Sequence, residues 1–191
     1  MSRRICSDQL TSISEKPDST HKTGLVFSSD FEGGNLHCVF KCKKTGFYYL
    51  FIQNDVNTHG YNIWFHFNIR AAHAGKHQFV IVNMSRPIKF FESICLPTFS
   101  SAGERYQRSV SVNCIKSGFK SCETQKNYHS MHFEYDFKEG EEVYFSLVPP
   151  YSYSKLMHFL AETEHNSLIK VEIACNSELG NTIPVLIISH S

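Results

Sequence analysis

"SMHFEYDF", residues 130–137, alternates without a break. Met131, Phe133, Tyr135 and Phe137 fall on one side, and His132, Glu134 and Asp136 on the other. A period of two with large apolar groups on one face is the pattern of a strand that buries one side. "NIWFHFNI" (62–69) repeats it, with Ile63, Phe65, Phe67 and Ile69 facing in and Asn62, Trp64, His66 and Asn68 facing out. "SVSVNC" (109–114) also alternates. "FYYLFI" (47–52), "FVIVNM" (79–84) and "VYFSLV" (143–148) are apolar on both faces, which suits central or doubly covered strands.

Turn-forming residues separate these runs: Gly33-Gly34-Asn35, Lys44-Thr45-Gly46, His59-Gly60, Ala74-Gly75, Ser117-Gly118 and Glu139-Gly140. Short strands at such spacing predict a mostly β fold, an antiparallel β-sandwich or barrel. One segment breaks the pattern. After Pro149-Pro150, "YSYSKLMHFLAETE" sets Tyr153, Leu156, Met157 and Leu160 at helical spacing. A helix is expected near 152–164, with Ser152 or Ser154 as its cap. Two more strands follow, "LIKVEIAC" (168–175) and "IPVLIIS" (183–189), joined by a turn at "ELGN" (178–181). This C-terminal hairpin is too apolar for an exposed ribbon and has to pack on something.

Composition narrows the function classes. The 191 residues carry 19 Lys and Arg against 18 Asp and Glu, and Phe (16) and Tyr (9) are plentiful. A real core is expected, and the charge balance argues against a nucleic-acid or anionic-membrane partner. No run approaches the ~18 apolar residues of a membrane span. "MSRRICSDQL" has no apolar stretch behind its arginines, so no secretory signal is read there. The seven cysteines lack a CxxC pair and are read as reduced thiols of a cytoplasmic protein. Residues 1–23 are polar and without a period, and read as a mobile arm.

Candidate chemistry is sparse. His73 and His77 lie in a Gly-containing connection between strands, not on a helix. His132 and Glu134 share a strand face, yet a zinc site needs three or four convergent ligands. A Cys–His hydrolase would need a base beside a thiol, which the spacing does not supply. GxSxG, GxxxxGK[ST] and GxGxxG are all absent. "FEGGNL" (31–36) has neither the lysine and helix of a phosphate loop nor the spaced acids of a calcium loop. It reads as a turn between the first two strands.

Several of these stretches fall in one order, and in that order the chain resembles the N-terminal region of cytosolic metallocarboxypeptidases. "FEGGNL" matches a phrase like F-x-S-G-N-L through Phe31, Gly34, Asn35 and Leu36. "IWFHFNI" matches W-F-x-F through Trp64, Phe65 and Phe67. "VIVNMSR" supplies the Asn83 of an I-x-N strand end, and "FFESICLP" keeps Phe91 and Pro97. "VYFSLVPPYSYSKL" carries the most specific motif, P-Y-[ST]-Y-S, in Pro150, Tyr151, Ser152, Tyr153 and Ser154. Gly180 and Asn181 before "IPVLIIS" match a G-N turn. The departures are Ile94-Cys95 for Gly-Met, Tyr106 for a tryptophan ahead of Arg108, and Pro149 for a tyrosine.

The resemblance implies a zinc enzyme that trims glutamates from tubulin and similar acidic tails. Its zinc ligands, substrate-binding arginine and base glutamate would follow the strand matched by 183–189, and none precedes Ser191. On this reading residues 24–165 are a non-catalytic β-sandwich accessory domain that packs on the catalytic domain and helps shape it. Residues 166–191 are that catalytic domain's first strands. This chain then carries no metal or cofactor of its own, and zinc belongs to the full-length enzyme. The implied partners are the catalytic domain and tubulin or other glutamate-rich proteins, in the cytoplasm and on microtubules. Lys41, Lys43 and Lys44 are candidate contacts for an acidic tail. The alternative is a free-standing β-sandwich interaction module with no enzyme role.

Overall fold

The fold is described from a computed structural model, which covers residues 10–14, 24–54, 61–86, 98–101, 107–108, 112–120, 127–163 and 165–189. The strands are β1 (Leu10–Ser14), β2 (Leu25–Ser28), β3 (Leu36–Cys42), β4 (Tyr48–Ile52), β5 (His66–Ala71), β6 (Gly75–Met84) and β7 (Thr98–Ser101). They continue with β8 (Gln107–Arg108), β9 (Val112–Lys120), β10 (Asn127–Phe137) and β11 (Glu142–Ser146). Helix α1 (Tyr153–Thr163) and the strands β12 (Ile169–Asn176) and β13 (Thr182–Ile188) complete the chain.

β1 to β11 build two sheets. One has six strands in the order β1-β3-β4-β6-β10-β9, the other five in the order β2-β5-β11-β7-β8. Their inner faces share one core. From the first sheet come Val39, Leu50, Phe79, Ile81, Met131 and Phe133, and from the second Leu25, Phe27, Phe67, Ile69, Val143 and Phe145. The alternation of residues 130–137 produces this geometry: Met131, Phe133 and Phe137 are buried, and Glu134 is exposed.

Phe79 is the centre of the core. Its ring stacks on Phe133 at 5.2 Å and on Tyr48 at 5.6 Å, and meets Phe145 across the sandwich at 6.3 Å. Phe133 and Phe145 bridge the two sheets directly at 5.3 Å. Ring pairs at such separations add to the burial of large apolar area.

The architecture is a sandwich, not a closed barrel, and it is not antiparallel throughout. β4 and β6 run parallel, with Tyr48 opposite Phe79 and Leu50 opposite Ile81. The chain crosses to the other sheet as β5 between them, so the two strands enter their sheet in the same direction. The runs read as apolar on both faces have a second cover. Tyr49, Val80 and Val82 are buried on the outer face of the six-stranded sheet, with Phe40, Phe47, Phe51 and Phe119 packed against them.

Other sequence expectations shift. Leu10–Ser14, inside the stretch read as an arm, pairs antiparallel with β3, because the β3 edge offers unpaired backbone groups. Ser117-Gly118, read as a turn, lies inside β9, where the pairing with β10 slips register between Asn127 and His129. Such a bulge accommodates glycine without ending the strand. His59-Gly60, Phe91, Pro97, Cys95 and Tyr106 lie outside the described residues.

The chain divides into two compact units at Pro150/Tyr151, ahead of the 165/166 boundary read from the sequence. The helix goes with the hairpin because Tyr153 donates its hydroxyl to the Thr182 carbonyl at 3.0 Å and also meets the Thr182 hydroxyl at 2.6 Å. α1 begins where Ser152 accepts the Lys155 N–H with its Oγ at 3.2 Å, so Ser152, not Ser154, is the cap.

Removing the Phe79 ring should be among the costliest single changes in the first unit. Phe79→Ala is expected to lower its stability by about 3–5 kcal/mol, read from urea unfolding, because the ring is fully buried among others that cannot close the gap.

Candidate functional site

The resemblance residues of the first unit that the structure describes fall mainly at two corners of the sandwich. At the first, the backbone between β2 and β3 turns tightly. Gly34 N–H bonds to the Phe31 carbonyl at 2.9 Å, and Gly33 takes a positive φ of 78°. A Cβ on Gly34 would stand 2.2 Å from the Ser29 carbonyl oxygen, so only glycine fits.

Asn35 then ties the turn to β5. Its Nδ2 donates to the Trp64 carbonyl at 2.8 Å, and its Oδ1 accepts the His66 N–H at 2.9 Å. Its own N–H reaches the His66 carbonyl at 3.1 Å, and its carbonyl accepts from Gln53 N–H beyond β4 at 2.8 Å. Trp64 closes the loop by donating its indole N–H to the Gly33 carbonyl at 2.9 Å. Residues 62–65 alternate yet are not ladder strand: the Trp64 carbonyl is taken by the Asn35 side chain, and the Asn62 backbone bonds to Ser85. Phe65 still faces the core, and Leu36 opens β3 fully buried.

The turn lies over the outer face of the second sheet. Phe31 packs edge-on against His66 at 4.8 Å and Tyr144 at 5.4 Å. His66 is thereby nearly enclosed, and burial pushes its pKa down to about 4. Beside it Asn68 donates to the Glu142 carboxylate at 2.5 Å.

At the second corner Asn83 acts as a piece of backbone. Its Oδ1 accepts the Ile52 N–H at 3.0 Å and its Nδ2 donates to the Ile52 carbonyl at 2.8 Å. The carboxamide continues the parallel β4–β6 ladder beyond its last backbone pair. In the second unit, Tyr151 is exposed, Gly180 has φ 83°, and Asn181 exchanges bonds with Ser177 to close the hairpin turn. Pro150 marks the junction of the units. Gly34, Asn35, Trp64 and Asn83 therefore spend their polar groups on the backbone of the sandwich.

The proposed basic contacts separate. Lys41 donates its Nζ to the Tyr48 hydroxyl at 3.1 Å and lies 4.8 Å from that ring's centre, so its charge is engaged. Lys43 and Lys44 are exposed in the following turn.

The Cys42 thiol is buried, and its pKa is lowered by the Thr45 hydroxyl above all, with the Thr45 and Lys44 backbone and the Lys44 charge helping. No imidazole is among these groups, which leaves the thiol without a base. His132 and Glu134 do share the outer face of β10, as their spacing implies. Among the described residues no three His, Cys, Asp or Glu side chains converge to hold a metal. The donors of the described residues do not fit a zinc ion. Among the described residues no helix is long and apolar enough to cross a membrane.

Solved structures that the chain resembles include metallo-carboxypeptidases. One from Burkholderia cenocepacia matches with a TM-score of 0.66 at 16% identity, over 87% of this chain and 40% of that one. One from Pseudomonas aeruginosa, in complex with (2-guanidinoethylmercapto)succinic acid, matches with a TM-score of 0.59 at 22% identity, over 84% of this chain and 39% of that one. At these identities the likeness is one of fold.

The profile of the cytosolic carboxypeptidase N-terminal domain matches residues 27–147, and the chain belongs to that family. It is 27% identical to human cytosolic carboxypeptidase 1 over 188 residues, 86% of this chain and 15% of that protein. It is 30% identical to cytosolic carboxypeptidase 6 of Caenorhabditis elegans over 151 residues, 78% of this chain and 32% of that protein. The chain thus spans less than a third of either relative.

Two measurements check the corner. Gly34→Ala should destabilise the first unit by well over the roughly 1 kcal/mol that positive-φ strain alone costs. Gly46→Ala, at φ 75° with open space around the added methyl, should cost only that strain. Equal unfolding midpoints for the two variants would contradict the close approach to Ser29.

The second measurement is pH. His66 titrates near pH 4 when folded and near its ordinary 6.5 when unfolded, so the unfolded chain binds the proton first. Stability is full above pH 6.5 and falls toward pH 4, by up to about 3 kcal/mol from this residue. The His66 Cε1–H resonance should be the last imidazole to titrate.

Proposed function

We propose that the chain is the non-catalytic amino-terminal accessory domain of a cytosolic zinc carboxypeptidase. The enzyme would remove C-terminal or side-chain glutamates from tubulin-like acidic tails, in the cytoplasm and on microtubules. The sandwich packs on the catalytic domain and shapes the approach to it. Zinc, its ligands and the catalytic acid–base groups belong to that other domain. Lys43 and Lys44, exposed in the turn after β3, are the groups suited to meet a glutamate-rich tail.

The observation that carries this reading is the apolar surface of the hairpin. Ile183, Val185 and Ile187 alternate on one face of β13, Leu186 and Ile188 on the other, and all are exposed; Ile188 is 70% so. A strand apolar on both faces belongs inside a sheet covered on both sides. β12 differs, because one of its faces carries the Lys170–Glu172 ion pair at 2.5 Å. A charged face with lysine marks an outer strand. The hairpin therefore supports a larger sheet that grows from the β13 side, with β12 at its rim. A free-standing module has no use for such a surface, which would cost it solubility.

The test uses the polypeptide that carries this chain together with a carboxypeptidase domain, assayed for glutamate release from a peptide ending in glutamates. Val185→Asp with Ile187→Asp should lower kcat/KM by at least about tenfold, because the new charges would be buried without partners. Unchanged turnover in that double variant would overturn the accessory role.

A further inference from the structure

The outer face of the six-stranded sheet holds a cavity of about 450 Å³, distant in kind from the folding motifs above. Its walls include Phe47, Gln78, Asn113, His132 and Glu134. The register explains the grouping. Glu134 lies opposite Gln78 across β10 and β6, and His132 lies opposite Asn113 across β10 and β9. Phe47 closes one end, just before Tyr48, whose partner is Phe79 beside Gln78. The volume falls within the roughly 300–1,000 Å³ of small-ligand sites.

We propose that this groove binds a neutral polyhydroxylated ligand, a short oligosaccharide or a glycan of that chemistry. Glu134 carries the only carboxylate of the wall residues named, and Lys76 already holds it at 2.6 Å. That bond, with the Lys76 charge and the Gln78 amide, keeps the carboxyl ionised and occupied. Burial keeps the His132 imidazole neutral at physiological pH. Among the described wall residues, Glu134 is the one that carries a charge, and that charge is paired.

What it offers instead is mixed neutral hydrogen bonding. Asn113 presents a donor and an acceptor, neutral His132 presents one of each, and Gln78, whose amide N–H donates to Glu134, presents its carbonyl as an acceptor. The structure gives the Asn113 and His132 side chains no hydrogen-bond partner among the described residues. Neighbouring strands stand about 4.8 Å apart, so these groups span roughly 10 Å across three strands. Hydroxyls arrayed around a sugar ring meet donors and acceptors spread in this way. A planar base carries its polar atoms along its edges in one plane and would leave part of the wall unpaired. The Phe47 ring supplies the apolar surface on which a sugar's C–H face rests.

The experiment is a titration of the 191-residue chain with maltose and with cellobiose, followed by NMR of the Gln78 and Asn113 side-chain amides and the His132 Cε1–H. Adenosine and arginine serve as probes of the planar and cationic alternatives. Saturable shifts of all three residues with either disaccharide support the site. Asn113→Ala should weaken that binding by about tenfold, the loss of a ligand hydrogen bond. Asn113 is exposed, so the variant should keep the spectrum of a folded sandwich, and His132 shifts report the groove where the Asn113 signal is gone. The proposal is overturned by no saturable shift with either sugar, by undiminished sugar binding in Asn113→Ala, or by tighter binding of adenosine or arginine at these same signals.

Discussion

The carboxamide of Asn35 is the joint on which the sandwich turns. It sits where the chain leaves one sheet at β2 and enters the other at β3. Its side chain holds the backbone on both sides of Phe65, and its own backbone holds His66 and Gln53. Strands from both sheets are thus tied to one residue. Neighbouring constraints follow from it. Gly34 must be glycine because the turn brings its backbone against Ser29, and Trp64 is aimed at Gly33 because Asn35 fixes the backbone that carries it. His66 is sealed because the same turn lays Phe31 across it.

A second carboxamide solves a different problem. Parallel strands β4 and β6 share only a short ladder, and Asn83 lengthens it by imitating a peptide group toward Ile52. Buried carboxamides of this kind are fully bonded and therefore stabilising, whereas an aliphatic substitute would leave two backbone groups unpaired. Through these two asparagines the motif joins strands that lie far apart in the sequence.

The two units differ in how complete they are. The first encloses a continuous aromatic core and gives its sheets an inner face in common. The second keeps Leu160 buried and joins its helix to its hairpin through Tyr153, yet leaves β13 uncovered on both faces. Exposed apolar area of that extent is uncommon on a protein surface.

Much of the sandwich was legible in the residues, because a strand with one buried face must alternate and a turn must use glycine or asparagine. Residues 130–137 announced β10, "PYSYS" announced a capped helix, and "ELGN" a hairpin turn. The order of the motifs along the chain is that of the family. The same local rules misread Ser117-Gly118, since a Ser-Gly pair suits a bulge as well as a turn, and they could not distinguish a parallel pair from an antiparallel one. They also left Asn35 and Asn83 as mere letters of a phrase. Their bonds join residues 29 to 31 positions apart, so no window along the chain contains both partners. The groove lined by Gln78, Asn113 and His132 has the same origin. Sequence determined which face of each strand is polar, and only the register between strands, set by long-range pairing, decided which polar groups stand together.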